Sequence, residues 1–136
     1  MTVFIDASAL VAMIAREPEA SSFADYLCAY SRRLTSPIAF WEAARGVASA
    51  RGLDVNEARL LVSDFLAAAA IDVVSIDLAD ADCALDAHRR YGKGVHEARL
   101  NLGDCFAYAC TKRHEAHIMF KGEDFIHTDL RDATLP

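Results

Sequence analysis

Short apolar runs alternate with longer amphipathic stretches along this chain. Val3-Phe4-Ile5 is a continuous apolar run closed by Asp6, and it reads as a buried strand over residues 2–6. Ala7-Ser8-Ala9-Leu10 then begins a helix, with Ser8 as its expected cap. Pro18 suits a first turn, so the next helix is expected over residues 18–31, with Phe23, Tyr26, Leu27 and Tyr30 on one face. Leu34-Thr35-Ser36 reads as a strand, and Pro37 opens a helix that stops at Gly52. Asp54-Val55-Asn56-Glu57 resembles a capping box, and the helix behind it carries Val55, Ala58, Val62, Phe65 and Ala69. Residues 73–76 read as a strand. Asp77 caps a helix to about Tyr91 that turns Ala81, Ala84, Leu85 and His88 inward. Residues 92–101 form a loop, a helix follows from Asp104 to about His114, and Ile118-Met119-Phe120 is the next strand. Residues 133–135 are expected to add an edge strand.

Short apolar strands alternating with helices point to an α/β fold, a parallel sheet covered on both faces. Ligands in such sheets bind at the carboxyl ends of the strands. The 136 residues suit one domain spanning residues 1–136. With 54% hydrophobic and 25% charged residues, the chain is expected to be globular and not disordered. No apolar run approaches the ~20 residues of a membrane span. The N-terminus lacks a basic start and an apolar stretch, so a cytoplasmic location with no membrane partner is expected. Cys28, Cys83, Cys105 and Cys110 form no C-x-x-C pair and read as buried free thiols. A net charge of −6 has the wrong sign for a plain nucleic-acid-binding module. It leaves room for an enzyme whose acids hold metal.

Four acids fall where the pattern is otherwise apolar. Asp6 closes a strand, and Glu42 stands in Phe40-Trp41-Glu42-Ala43-Ala44. Asp104 opens an apolar helix, and Asp124 follows the last strand across Lys121-Gly122-Glu123. Acids are rarely fully buried without a partner. Each has an ordinary explanation taken singly. Asp6 caps the following helix, Glu42 pairs with Arg45 one turn on, Asp104 answers a helix dipole, and Asp124 is a turn acid. Brought together at one sheet edge, they suit a hard divalent cation. Asp80, Asp82 and Asp86 read as a solvated helix face, and Asp129 and Asp132 as surface acids of a polar tail. Lys93, Arg99, Lys112 and Lys121 are candidate phosphate contacts.

Phe4-Ile5-Asp6-Ala7-Ser8-Ala9-Leu10 resembles the opening motif of PIN-domain nucleases. Pro37-Ile38-Ala39-Phe40-Trp41-Glu42 resembles the helix that carries the family's second acid. Leu102-Gly103-Asp104-Cys105-Phe106-Ala107-Tyr108-Ala109 is similar to the third motif, and Phe120 to Phe125 with Thr128-Asp129 resembles the close of the VapC toxins. The resemblance covers nearly the whole chain, in order and spacing. It implies a PIN-like three-layer α/β/α sandwich with a central parallel sheet. It also implies the toxin of a type II toxin–antitoxin system: an endoribonuclease dependent on Mg²⁺, with Mn²⁺ as the alternative. A cognate VapB-type antitoxin is the implied partner, laying an apolar helix against the first helices and placing a basic residue among the acids. A homodimer and a heterotetramer or larger complex are implied too. By the same resemblance Asp6, Glu42 and Asp104 are metal ligands, and Ser8 is a small polar position beside the first acid. The family often places a fourth acid or Asn where this chain has Gly122, so Asp124 is the expected substitute and Glu123 the alternative. The other readings left open are a PIN nuclease of housekeeping RNA processing and a non-catalytic PIN scaffold.

Overall fold

The computed structural model describes residues 1–136. Strands β1 (Thr2–Ile5), β2 (Arg32–Thr35), β3 (Ile71–Val73) and β4 (His117–Met119) form one parallel sheet in the order β3-β2-β1-β4. Helices α1 (Ala7–Ile14) and α2 (Ala20–Leu27) join β1 to β2, and α3 (Pro37–Arg51) and α4 (Val55–Ala68) join β2 to β3. Helices α5 (Leu78–Tyr91) and α6 (Leu102–Arg113) lead back to β4. The chain steps from β1 outward to β3, then returns to the other side of β1. Right-handed crossovers in opposite directions put the two helix groups on opposite faces. The order therefore reverses at β1, and the crevice between β1 and β4 is the switch point where such sheets bind ligands.

The register explains why β1 is apolar throughout. Phe4 lies opposite Leu34 on one side and Ile118 on the other. Val3, Phe4 and Ile5 are wholly buried, as a central strand covered on both faces requires. Burying a Phe or Ile side chain stabilises the fold by about 2–3 kcal/mol. Ser36 caps α3 by accepting the Ala39 N–H at 3.1 Å, with Pro37 in the first turn and Gly52 closing the helix at φ 63°.

The structure moves several expected features. The third strand is Ile71–Val73, earlier than residues 73–76, because Ala70 turns the chain at φ 53° and Ile71 pairs with Arg33. Helix α2 begins at Ala20, after Pro18. Residues 133–135 form no strand, and the tail makes a single bridge from Asp132 to Ile118. Asp54 caps α4 without a return bond from Glu57. Leu85 and His88 of α5 face solvent, whereas Asp80 is 3% exposed. Asp80 accepts the Asp77 N–H and takes the Arg113 Nε at 2.8 Å, so it belongs to the α5–α6 contact and not to a solvated face. Asp129 likewise has partners: it accepts from the Tyr108 hydroxyl at 2.7 Å and from Lys112 at 2.9 Å, fastening the tail to α6. All the cysteines are free; Cys105 and Cys110 are buried, Cys83 is half-buried and Cys28 is exposed. No helix is long and apolar enough to cross a membrane.

Candidate active site

Asp6 stands at the carboxyl end of β1. Its backbone N–H donates to the Met119 carbonyl at 2.9 Å, which aligns it with the end of β4. It is Asp6, and not Ser8, that caps α1: Asp6 Oδ2 accepts the Ser8 N–H at 3.1 Å and the Ser8 hydroxyl at 2.6 Å. The Ser8 Oγ in turn accepts the Lys121 N–H at 3.0 Å. One hydroxyl thus ties the first acid to the chain that leaves β4. On the other side, the Thr35 hydroxyl donates to the Ile5 carbonyl at 2.9 Å and fixes the end of β2 against β1.

Glu42 lies in the second turn of α3, which Ser36 starts at the end of β2. Its carboxylate packs on Gly103 so closely that a Cβ there would sit 2.6 Å from Glu42 Cδ. Glu42 makes no ion pair with Arg45. The Arg45 guanidinium instead lies over the Trp41 ring, 5.1 Å from its centroid. Asp104 is held by a reciprocal box at the start of α6. Asn101 Oδ1 accepts the Asp104 N–H at 2.9 Å, and Asp104 Oδ2 accepts the Asn101 N–H at 3.1 Å. Asp124 is exposed in the loop after β4.

The electrostatics bind these acids into one group. Burial pushes Asp104 up to about 7, with the negative charges of Asp124, Asp6 and Glu42 adding to it against the Asn101 hydrogen bond. Burial also raises Asp6, helped by the charge of Asp124 and opposed by the two bonds from Ser8. Glu42 is raised by burial and by Asp6. Asp124 is a loop acid whose charge raises both Asp6 and Asp104. Raised acids that repel one another and have no basic partner are what a divalent cation relieves. None of the four takes part in an ion pair. No three of the His, Cys, Asp and Glu side chains are already arranged as a ligand set. The donor chemistry nevertheless fits Mg²⁺ or Mn²⁺: carboxylate oxygens at the open edge of the sheet.

Residues 3–130 match the PIN domain family. The VapC ribonuclease Mb0640 of Mycobacterium bovis is 41% identical, over 97% of this chain and 98% of that protein. The chain belongs to the PIN-domain family, among the VapC ribonucleases. Ribonuclease VapC30 of Mycobacterium tuberculosis shows the same identity and coverage. The VapC ribonuclease R02377 of Rhizobium meliloti is 37% identical over 93% of the chain and 98% of its own length. The crystal structure of Mycobacterium tuberculosis VapC20, a Sarcin-Ricin loop cleaving toxin, shares the fold with a TM-score of 0.73. It covers 94% of this chain and 95% of that one at 14% identity.

Around the acids of this PIN domain lie two open clefts. One, of 430 Å³, is lined by Lys93, Arg99, Asn101, Asp124, Glu123 and His127 among others. The other, of 610 Å³, is lined by Pro37, Ile38, Trp41, Glu42, Leu102 and Gly103, and it too reaches Asn101. Lys93 and Arg99 thus line the same cleft as Asp124. Lys121 is engaged elsewhere, with its ammonium 3.2 Å from both Glu17 and Glu19. Lys112 is bound to Asp129 and lies two turns along α6 from Asp104, about 12 Å away by helical rise. Asn101 and Gly103 were not among the residues singled out in the sequence. The N-x-x-D spacing of Asn101 and Asp104 is a capping-box signal that marks the first. Nothing local marks Gly103, whose neighbour comes from another helix.

Proposed function

We propose that this VapC-type chain is the toxin of a toxin–antitoxin pair, a divalent-cation-dependent endoribonuclease held in check by a VapB-type antitoxin. The observation that supports the reading is four acids without ion-pair partners whose charges act on one another at the switch point of a PIN-family sheet.

Asp6, Glu42, Asp104 and Asp124 are the residues that would hold Mg²⁺ or Mn²⁺. An ion held there would supply an activated water and offset charge on the phosphoryl oxygens. The chain's own residues do the rest. Lys93 and Arg99 hold the phosphodiester over the acids. Glu42 takes the proton of the attacking water, a role suited to a carboxylate raised by burial. The water oxygen bonds to phosphorus as the P–O3′ bond breaks, and the leaving O3′ takes a proton from solvent. The products are a 5′-phosphate and a 3′-hydroxyl. Ser8 keeps Asp6 turned toward the site and joins it to the chain leaving β4.

The reading is tested with purified protein and total RNA. Cleavage is expected with Mg²⁺, and it is expected to stop with chelator, in Asp6→Asn, or on adding the antitoxin encoded beside the gene. Undiminished cutting by Asp6→Asn in chelator would overturn it. Sequenced 5′ ends scattered at random would rule out a site-specific target. A non-catalytic scaffold is disfavoured by the complete acid set, and a housekeeping nuclease would not arrest growth when expressed alone.

A further inference from the structure

We infer that Trp41 is the stacking platform for a nucleobase adjoining the scissile phosphate. The inference rests on the ribonuclease reading above and adds to it a residue that positions the RNA.

Trp41 is the only tryptophan in the chain, and it is 60% exposed. Tryptophan is highly buried on average, so an indole this open on a well-formed helix wants a use. Its place on α3 is next to Glu42, and both side chains line the same 610 Å³ cleft. Pro37, Ile38 and Leu102 give that cleft an apolar wall. A flat aromatic surface beside an apolar wall suits a base, since every base has a π-face to stack.

The surroundings favour RNA over a protein helix. Arg45 lies over one face of the indole, 5.1 Å from its centroid, and makes no ion pair, which holds a cation against the platform. In a chain of net charge −6, that cation attracts a phosphate. The Trp41 cleft and the Lys93–Arg99 cleft share Asn101, so a strand can cross from one to the other. Such a strand has phosphates beside Lys93 and Arg99, the acids beneath it, and a base on Trp41.

The lone tryptophan makes the test direct. The Asp104→Asn variant, expected to bind without cutting, is titrated with a labelled 12-nucleotide single-stranded RNA. Indole emission and RNA anisotropy are followed together. The expected result is saturable quenching with the same midpoint as the anisotropy change. In the otherwise unaltered chain, Trp41→Leu is expected to raise KM for cleavage by about 5- to 150-fold with kcat nearly unchanged. Trp41→Phe, which keeps a ring, is expected to recover most of that loss. Melting temperatures close to the parent's show that both variants fold. Anisotropy that saturates while emission stays constant would overturn the inference and leave the ribonuclease reading intact. So would a Trp41→Leu variant with parental KM, including one that has lost only its response to the antitoxin, which would make this face a protein interface. A parent chain that neither binds nor cuts RNA would sink both readings.

Discussion

The carboxylate of Glu42 packs against Gly103, where helices α3 and α6 meet, in the space that a Cβ at 103 would take. Alanine is better than glycine inside a helix by about 1 kcal/mol. On propensity alone Gly103→Ala would stabilise α6. The contact sets a second effect against this: the new methyl displaces the Glu42 carboxylate. Gly103→Ala is expected to lose at least about tenfold in cleavage rate while its stability is kept or raised. Single-turnover cleavage and a thermal melt check both points.

Ser8 offers its hydroxyl to Asp6 and accepts the Lys121 N–H. Ser8→Ala removes both bonds and leaves a half-buried N–H without its partner. The expected cost is about 1–2 kcal/mol in urea unfolding. Cleavage is expected to fall by about 10- to 100-fold through misplacement of Asp6. Complete loss of cleavage would assign Ser8 a direct chemical role instead.

Asp104 links the site to pH. Its carboxyl is raised from an ordinary 3.8 to about 7, so the folded state holds this proton more tightly than the unfolded chain does. The resulting stabilisation is fully present below the unfolded value, is lost as pH rises through about 7, and is gone above it. Asp104→Asn keeps an acceptor for the Asn101 N–H and removes the charge. With solvent screening allowed for, the variant is expected to be more stable than its parent at pH 8 by about 1–2 kcal/mol. That gain corresponds to a melting temperature about 3–8 °C higher. The difference is expected to close on acidification to pH 4. A variant that melts lower than its parent at pH 8 would contradict the assignment.

Asp80 and Arg113 supply a control outside the site. Arg113 Nε lies 2.8 Å from the buried Asp80 carboxylate. Arg113→Met strands that acid and is expected to cost about 2–4 kcal/mol in urea unfolding. Cation binding by the folded variant is expected to be unchanged.

The central strand and the candidate acid that closes it were legible because their signals are local. A continuous apolar run ended by an acid, as in Val3 to Asp6, has one good reading in a parallel sheet. Ser36-Pro37 announces a helix start just as clearly. What the sequence hid depends on contacts between distant segments. Leu85 looks like core by periodicity, yet α5 turns Ala84 and Ala87 inward. Asp80 looks like one acid in a solvated row until Arg113 of α6 reaches it. Arg45 is well spaced to pair with Glu42, but it lies over the neighbouring indole. The three-residue β3 has too few apolar positions to fix its own limits, and the Ala70 turn and the pairing with β2 set them. Gly103 matters only because Glu42 packs on it from another helix.

The account stands on the claim that acids from four separate segments serve one cation. Calorimetric titration of Mn²⁺ into the folded protein at pH 7.5 tests it most directly, because it needs no RNA and no antitoxin. The parent is expected to give a saturable isotherm. Asp6→Asn and Asp104→Asn are each expected to abolish it, and Glu42→Gln and Asp124→Asn to weaken it by about tenfold or more. Binding of parental strength in both Asp6→Asn and Asp104→Asn would contradict the claim.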